Sequence, residues 1–221
     1  MTGPLFLWSW VGDHIPEITT KLWEHVQLTF LAVAIGLLIS FPLAVLVFRH
    51  RRLYAPVTFV TGLLYTIPSL ALFVMLLPLF GLSTTTAEVG LVSYTLLILI
   101  RNIVAGLDGV PSDTKEAAVG MGYTSRQLLW KVELPLALPV IVAGIRIATV
   151  TTIGLVTVTA LIGRGGLGFF ILQGLEQFFA TPTILGAVLS VALALVADAI
   201  LLLVQRLLTP WTRATRARGA A

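Results

Sequence analysis

Five long apolar stretches dominate this sequence, and they restrict what the chain can fold into. They cover residues 28–48, 57–80, 89–104, 136–162 and 184–208. A helix that crosses a bilayer needs roughly 20 predominantly apolar residues, so each stretch predicts one membrane span. Charged residues make up only 11% of the chain, against about 25% in soluble domains. We therefore expect an all-α polytopic membrane protein with five transmembrane helices, of which the first, second and fourth are bent by proline, at Pro42, Pro68, Pro78 and Pro139.

Basic residues between the stretches predict the orientation of the chain. They concentrate on alternate connections, at Arg49, Arg51, Arg52, Lys115, Arg126, Lys131, Arg213, Arg216 and Arg218. The opposite side carries only Lys21 and Arg164. Because Lys and Arg mark cytoplasmic loops, we expect residues 1–27 outside, the spans within 28–208, a cytoplasmic loop at 106–135 and a cytoplasmic basic tail at 209–221.

The stretch GRGGLG, residues 163–168, matches the G-x-G-x-x-G pattern of dinucleotide-binding turns. That turn follows a short strand and has an acidic residue about 20 positions later. Here the preceding apolar run is too long for a strand, and residues 177–197 contain no Asp or Glu. The pattern instead predicts a tight turn at the outer end of the fourth span, where Gly165 and Gly166 supply backbone angles that other residues avoid.

The 106–135 loop contains signals for two short helices. Asp113 with Glu116, and Thr124 with Gln127, have the spacing of capping boxes, which predicts two helix starts. Gly122 predicts the end of the first helix, since glycine tolerates the left-handed turn after a helix.

The second of these helices should end before Pro135, because a residue that precedes proline avoids the helical region. Small residues at Ala117, Ala118 and Gly120 would leave a smooth surface that another protein can approach closely.

The same loop resembles that of a known family. The pattern Glu-Ala-Ala, three residues, Gly, nine residues, Ile-x-Leu-Pro marks the permease subunits of binding-protein-dependent ABC importers. This chain has Glu116-Ala117-Ala118, then Gly122, then Val132-Glu133-Leu134-Pro135, with Val in place of Ile as the one departure. The resemblance implies that the loop docks on a cytoplasmic ATPase through Glu116, Ala117, Ala118, Gly120, Gly122, Leu134 and Pro135.

Further stretches are similar to permeases for osmoprotectants such as glycine betaine, choline and carnitine. They read TIPSLALFVMLLPLFGL, RNIVAGLDGVPSDTKEAAVGMG, KVELPLALPVIVAGIRIATV and ALIGRGGLG, and together they cover most of residues 66–168. Arg164 departs from the small residue usual in that turn. Methionine-importer permeases share the five-span plan and a similar glycine-rich turn, so a permease for methionine or another amino acid is the alternative.

The resemblance also implies the partners. They are a cytoplasmic ABC ATPase dimer, a second permease, identical or not, and a separate extracytoplasmic solute-binding protein, in the lipid of a bacterial or archaeal cytoplasmic membrane. The chain has no G-x-x-x-x-G-K-[ST] motif, so we assign ATP and Mg to the partner ATPase and no cofactor to this chain. Without cysteine, no zinc–cysteine site is available, and we expect no metal and no nucleic acid.

Two charged residues lie deep within predicted spans. Arg146 is ten residues after position 136 and Asp198 is ten residues before position 208, and because those spans run in opposite directions both lie at similar depth. A charge at the bilayer centre is costly unless it is paired or lines a pathway. We expect the two to pair, which would either fix helix packing or line the translocation pathway.

Tyr65 and Tyr94 are the aromatic candidates within the spans, because quaternary ammonium groups bind to aromatic faces. Both could equally be packing or interface residues. His14, His25 and His50 lack the spacing of metal ligands, and we interpret them as solvated or interfacial.

Two rival functions come from other classes. A proton-coupled secondary transporter needs titratable groups at mid-membrane, and Asp198 is the only carboxylate within the predicted spans. A membrane enzyme needs a nucleophile with its base, a metal cluster or a cofactor loop, and the sequence contains none of these in recognisable spacing.

Overall fold

The computed structural model describes residues 5–211, and every regular element in that range is helical. In chain order the α-helices are α1 Trp8–Asp13, α2 Ile15–Arg49, α3 Tyr54–Thr66, α4 Ser69–Phe80, α5 Thr84–Asp108, α6 Ser112–Gly120, α7 Ser125–Leu128, α8 Leu134–Val158, α9 Gly168–Glu176 and α10 Ala180–Leu208. Short 3₁₀ segments at Arg51–Leu53 and Thr159–Ile162 and a π-helical segment at Leu129–Glu133 join some of them. The arginines of the predicted tail after position 211 lie outside the described residues.

The bundle is organised around α5. Most of α5 is buried, whereas almost none of α10 is. Helices α2 and α8 pack along α5, α3 and α4 cover another side of it, and α10 packs on α8 and α9. Two apolar clusters lie at opposite ends: one joins Val47, Ile103 and Ala137, and the other joins Leu28, Phe73 and Leu91.

We name the two ends by their residues. The basic end contains the end of α2, the 106–135 loop and the start of α8, and the glycine-turn end contains residues 163–168 and the start of α5. Four helical segments are long and apolar enough to cross a membrane, and α3 with α4 makes a fifth if the bent pair counts as one span. The expectation of a polytopic helical protein is therefore confirmed in its coarse form.

The second predicted span, residues 57–80, is a pair of helices. The helical segments Arg51–Thr66 and Ser69–Phe80 meet at 96°. Ile67 is extended, with ψ 127°, the conformation that the ring of Pro68 favours for the residue before it. The predicted bend at Pro68 is confirmed, but it is sharp enough to break the helix.

The other helices extend beyond the predicted spans. α2 begins at Ile15 instead of 28, and together with α1 it makes most of the predicted N-terminal segment helical. Polar side chains in this extension are satisfied locally: Lys21 pairs with Glu24 at 2.9 Å, and Thr19 and Thr20 donate to the carbonyl of Pro16. The third span runs over Thr84–Asp108 and the fifth over Ala180–Leu208.

Pro135 does not end the second helix of the loop, so that prediction was wrong. Instead, Ser125–Ile162 forms one continuous helical segment of 38 residues. Proline is tolerated in the first turn of a helix, where its missing N–H needs no partner. The π-helical segment Leu129–Glu133 lies directly before α8. Pro135 therefore stands in the first turn of α8, although the helical path runs on without a break.

The glycine-rich stretch forms a tight turn between the 3₁₀ segment and α9. Positive φ angles occur at Gly163 (78°) and Gly166 (49°), so the predicted backbone freedom is confirmed at Gly166 and wrong at Gly165. Gly165 is required for another reason. A Cβ atom there would lie 2.4 Å from Cα of Ala160, so only glycine allows the two backbone segments to approach.

Candidate functional site

The first helix of the 106–135 loop, α6, ends in a Schellman motif. Gly122 has φ 84°. Its N–H donates to the carbonyl of Val119 at 2.9 Å, and the N–H of Tyr123 donates to the carbonyl of Ala118 at 3.1 Å. These two bonds satisfy carbonyls that the helix end would otherwise leave free. The predicted stop at Gly122 is confirmed.

Of the two predicted helix starts, one is confirmed and one was wrong. Thr124 and Gln127 form a complete capping box, with the Thr124 N–H donating to Gln127 Oε1 at 2.9 Å and the Gln127 N–H donating to Thr124 Oγ1 at 3.3 Å. Asp113 caps nothing. Because Pro111 precedes the helix with an extended ψ of 138°, α6 begins at Ser112, and Asp113 is already inside its first turn.

The loop presents a small-residue surface at the basic end. Glu116, Ala117 and Gly120 are exposed, and a Cβ atom added at Gly120 or Gly122 would meet no other atom within 4 Å. Ala118 is only 2% exposed and packs inward, so its prediction as a surface residue was wrong.

Leu134 and Pro135 are not part of this exposed surface. Leu134 is buried in the apolar cluster of the basic end, and Pro135 is half-buried in the first turn of α8. The seven residues predicted for ATPase coupling thus divide into two groups by exposure. Four are exposed, namely Glu116, Ala117, Gly120 and Gly122, and three are buried or half-buried, namely Ala118, Leu134 and Pro135.

Polar contacts from α2 hold the loop in place. Arg49 donates to the carbonyl of Ser125 at 2.8 Å, and its Nη2 lies 3.8 Å from Oε2 of the buried Glu133. Arg51 forms an ion pair with Asp108 at the end of α5. Lys115 donates to the carbonyl of Leu107 at 3.2 Å and lies 5.3 Å from the Phe48 ring centroid.

Sequence reasoning missed these anchors, because the partners are up to 84 positions apart (133 minus 49) and no local pattern links them. The only available signal was the presence of Glu133 inside the loop motif. A carboxylate in an apolar surrounding needs a counter-charge, and the basic residues at the end of α2 were the candidates.

Arg146 and Asp198 meet halfway along the bundle. Arg146 Nε and Nη2 donate to the two carboxylate oxygens of Asp198, each at 2.8 Å, which is the bidentate geometry that guanidinium favours. Gln205 extends the contact, accepting from Arg146 at 3.3 Å and donating to the carbonyl of Pro139 at 2.9 Å. The predicted pair therefore links α8 to α10.

This ion pair opens onto a cavity of about 580 Å³ between α8 and α10. The side chains of Arg146 and Asp198 keep 24% and 36% of their surface exposed. The rest of the lining is mostly apolar and includes Val150, Thr151 and Leu195. The arrangement can hold two helices together, and it also places a polar group on an otherwise apolar face.

Tyr65 and Tyr94 lie together at the break between α3 and α4. Their ring centroids are 5.7 Å apart in an edge-to-face arrangement. Tyr94 is buried, and its hydroxyl donates to the carbonyl of Ile67, one of the groups that the broken helix leaves without a partner. Tyr65 is 38% exposed, so it is the member of the pair that a passing molecule can contact.

Comparison with known proteins identifies the family. Residues 5–211 match the model of the binding-protein-dependent transport system inner membrane component. The chain belongs to this family. It is therefore a multi-pass membrane permease subunit of a transport system, and not an enzyme.

Curated relatives share much of the sequence. The osmoprotectant import permease protein OsmW of Salmonella typhimurium is 40% identical over 90% of this chain and 94% of its own length. The choline transport system permease protein OpuBB of Bacillus subtilis is 38% identical over 88% of this chain and 89% of its own length.

Solved structures share the fold. An inward-facing MetNI methionine ABC transporter has a chain with TM-score 0.82 and 25% identity, which covers 89% of this permease and 98% of that chain. A chain of an amino acid ABC transporter gives TM-score 0.77 at 21% identity, over 93% of this permease and 99% of that chain. The helical order described above is thus that of ABC importer permeases.

The sequence did not reveal that polar groups of two residues, Glu88 and His25, are buried in the permease. Glu88 lies in the first turns of α5, and both of its carboxylate oxygens are buried without a hydrogen-bond partner among the described residues. The predicted third span began one residue later, so Glu88 lay just outside the predicted spans, in which Asp198 is the one carboxylate.

His25, interpreted above as solvated or interfacial, is fully buried. Its Nε2 donates to the carbonyl of Ile153 at 3.0 Å, and its Nδ1 accepts from the N–H of Leu167 at 3.3 Å, as in a neutral imidazole. At Gly166 a Cβ atom would lie 2.6 Å from the His25 Cβ, so α2 contacts the glycine turn directly.

Proposed function

We propose that this permease forms the translocation pathway of an ATP-driven importer for quaternary-amine osmoprotectants such as glycine betaine or choline. One observation carries the substrate class: the 40% identity to an osmoprotectant import permease extends over nearly the whole of both chains. The structure of the loop supports the coupling role, because the exposed small-residue surface of α6 connects through Gly122 to α7, which Arg49 of α2 contacts and which continues directly into α8.

The proposed orientation places the basic end in the cytoplasm and the glycine turn outside, with α3 and α4 counted together as one of five spans. The clustering of Arg49, Arg51, Lys115, Arg126 and Lys131 at one end supports it, because cytoplasmic loops carry the excess of basic residues. The chain would then reside in a bacterial or archaeal cytoplasmic membrane.

The proposed assembly has two permeases on a pair of cytoplasmic ATPases, with a separate binding protein outside. ATP and Mg would bind to the ATPases. Five helices are few to enclose a pathway, and the exposed apolar faces of α4 and α10 leave room for a second permease. OpuCB and OpuCD of Bacillus subtilis are both called permeases of a glycine betaine/carnitine/choline transport system, which is consistent with two such subunits per transporter.

In this mechanism, ATP binding closes the ATPases and moves the surface around Glu116, Ala117 and Gly120. The movement passes through Gly122 and α7 into α8 and opens the pathway outward, and hydrolysis returns it inward. The Arg146–Asp198 pair keeps α8 and α10 moving together, and Tyr65 offers an aromatic face to the cationic solute.

Methionine or another amino acid is the alternative solute, since the solved MetNI structures have the same fold. A proton-coupled secondary transporter is the alternative from a different class, and it would work without an ATPase.

Uptake tests these alternatives. Labelled glycine betaine, choline and methionine are supplied to cells that lack their own osmolyte importers and express this permease with its ATPase and binding-protein partners. We expect betaine or choline uptake that disappears with Gly122→Asp in a complex that still assembles. Methionine uptake alone would overturn the substrate class, and uptake without the ATPase would overturn the ABC mechanism.

A further inference from the structure

An apolar groove runs between α2 and α8 near the basic end. It has a volume of about 860 Å³ and is lined by side chains that include Leu37, Leu38, Phe41, Leu134, Leu138 and Ile141. Leu38 is 75% exposed, so no described element covers the groove. Apart from the indole of Trp130, all of its lining side chains are apolar.

A second, polar cavity adjoins this groove at the basic end. It has a volume of about 500 Å³ and is lined by Thr124, Arg126, Gln127, Trp130 and Lys131. Trp130 lines both cavities, and its ring lies 6.1 Å from that of Phe41 on α2. The two cavities therefore form one amphipathic site, with a cationic mouth and an apolar channel.

The cations at the mouth are available to a ligand. Arg126 and Lys131 are exposed, and neither forms an ion pair with a carboxylate among the described residues. Lys131 lies over the Tyr123 ring at 5.9 Å, a cation–π contact that keeps the net positive charge available to an anion. Arg49, by contrast, is engaged by Glu133 and by the carbonyl of Ser125.

We propose that this site binds an anionic phospholipid of the cytoplasmic leaflet, with its phosphate on Arg126 and Lys131 and one acyl chain in the groove between α2 and α8. The proposal rests on the orientation given under Proposed function. Basic pockets between membrane helices on the cytoplasmic side attract anionic headgroups, and tryptophan favours the depth at which headgroup and acyl chain meet.

The position of the groove argues against the soluble ATPase as its occupant. It extends along α2 as far as Ala34, well into the apolar part of the helix, where a soluble ATPase does not reach. The exposed residues proposed for ATPase docking, Glu116, Ala117, Gly120 and Gly122, line neither cavity, whereas the less exposed Leu134 and Pro135 line the groove. A phospholipid matches both parts of the site, because its phosphate suits the cationic mouth and its acyl chain suits the apolar groove.

Such a lipid would contact the segment that joins the loop to α8. Thr124 and Gln127, which form the capping box of α7, line the mouth, and Leu134 and Pro135 line the groove. A bound phospholipid would therefore brace α7 and the π-helical segment against α2 on the side opposite to the protein core.

Photolabelling tests the site in the assembled transporter. The complex with its ATPase is reconstituted in phosphatidylcholine vesicles that contain phosphatidylglycerol with a photoreactive acyl chain, and labelled peptides are mapped by mass spectrometry. We expect labels within residues 34–42 and 134–145. Unlabelled phosphatidylglycerol should compete, whereas phosphatidylcholine and soluble glycerol phosphate should not.

Charge removal at the mouth supplies the second measurement. In the double variant Arg126→Gln with Lys131→Gln, labelling of the groove should fall roughly tenfold, because two basic contacts to the headgroup are lost. The single variant Arg164→Gln removes an exposed charge at the other end and should leave the labelling unchanged.

Three results would overturn the proposal: equal competition by phosphatidylcholine, unchanged labelling in the double variant, or labels that appear only when the ATPase is left out. The last would mean that the ATPase covers the groove. Because labelling does not depend on transport, failure of the lipid proposal stays distinct from failure of the proposed function.

Discussion

Gly122 determines the shape of the loop at the scale of single residues. Its left-handed conformation allows both bonds of the Schellman motif, and it brings Thr124 to the position from which its side chain caps α7. Any other residue at this position must adopt the same φ of 84° to keep both helices in place.

We predict that Gly122→Ala destabilises the permease by about 1–2 kcal/mol, the cost of a left-handed conformation for a residue with a Cβ atom. Uptake should fall by more than the loss of folded permease explains, because the proposed docking surface around Glu116, Ala117 and Gly120 would shift. Thermal unfolding and uptake assays on the purified complex measure the two effects. Gly120→Ala is the matched control for stability, because its Cβ has free space in a regular helix. Equal stability of both variants would contradict the prediction.

The Arg146–Asp198 pair gives the second prediction at this scale. Asp198→Ala leaves a guanidinium without its carboxylate on a largely apolar face, so we expect the amount of assembled permease in the membrane to fall several-fold. The exchange Arg146→Asp with Asp198→Arg should restore most of it, because the bidentate contact can re-form in reverse. Quantitative immunoblotting of detergent-extracted complexes measures this. A double exchange no better than either single variant would show that the pair does not hold α8 to α10.

The break between α3 and α4 shows how an element depends on a distant side chain. Pro68 removes the helical path, and the hydroxyl of Tyr94 compensates by donating to the freed carbonyl of Ile67. We expect Tyr94→Phe to lower stability by about 1 kcal/mol, the typical net contribution of a hydrogen bond, because the partly buried carbonyl of Ile67 loses its donor.

Tyr65→Phe is the matched control for Tyr94→Phe. It removes the same atom from the neighbouring ring, which is partly exposed, and the ring face offered to a solute is kept. Thermal unfolding of Tyr94→Phe and Tyr65→Phe compares the two losses of stability, and we expect the larger loss for Tyr94→Phe. A larger loss with Tyr65→Phe would mean that Tyr94 does not support the break.

Elements that depend on neighbouring residues could be predicted from the sequence, and elements that depend on distant contacts could not. The capping box at Thr124 and the stop at Gly122 depend only on neighbouring residues, so the sequence was sufficient for both. The early start of α2 was missed because its polar residues find partners within one turn, and a hydropathy window registers only their polarity. Pro68 marks the position of the break between α3 and α4, but the 96° angle depends on tertiary packing. The Arg49–Glu133 contact and the burial of His25 also depend on tertiary packing.

At the scale of the whole molecule, the faces of the bundle differ in chemistry. The α8–α10 face contains the Arg146–Asp198 pair and its cavity, whereas the outer face of α2 is apolar. Because ionisable residues at mid-membrane face protein or a water-filled cavity, we infer that the α8–α10 face turns toward the second permease and the pathway.

Single cysteines test this inference in a chain that has none of its own. A cysteine at Leu195, 67% exposed beside the ion pair, should react with a water-soluble maleimide, and ATP binding should change the rate. A cysteine at Leu38, 75% exposed on α2, should stay unreactive because lipid covers it. Equal reaction at both positions would contradict the assignment of the faces.

The continuous helix Ser125–Ile162 gives the molecule a long lever. At 1.5 Å per residue its 38 residues extend on the order of 57 Å, from the basic end to the glycine turn. If it swings as a rigid rod about its base, a tilt of roughly 10° carries the far tip sideways by roughly 10 Å. In the proposed mechanism, a short stroke of the ATPases at one membrane surface would produce a wide displacement at the other. α2, tethered to this rod at both ends through Arg49 and His25, would travel with it.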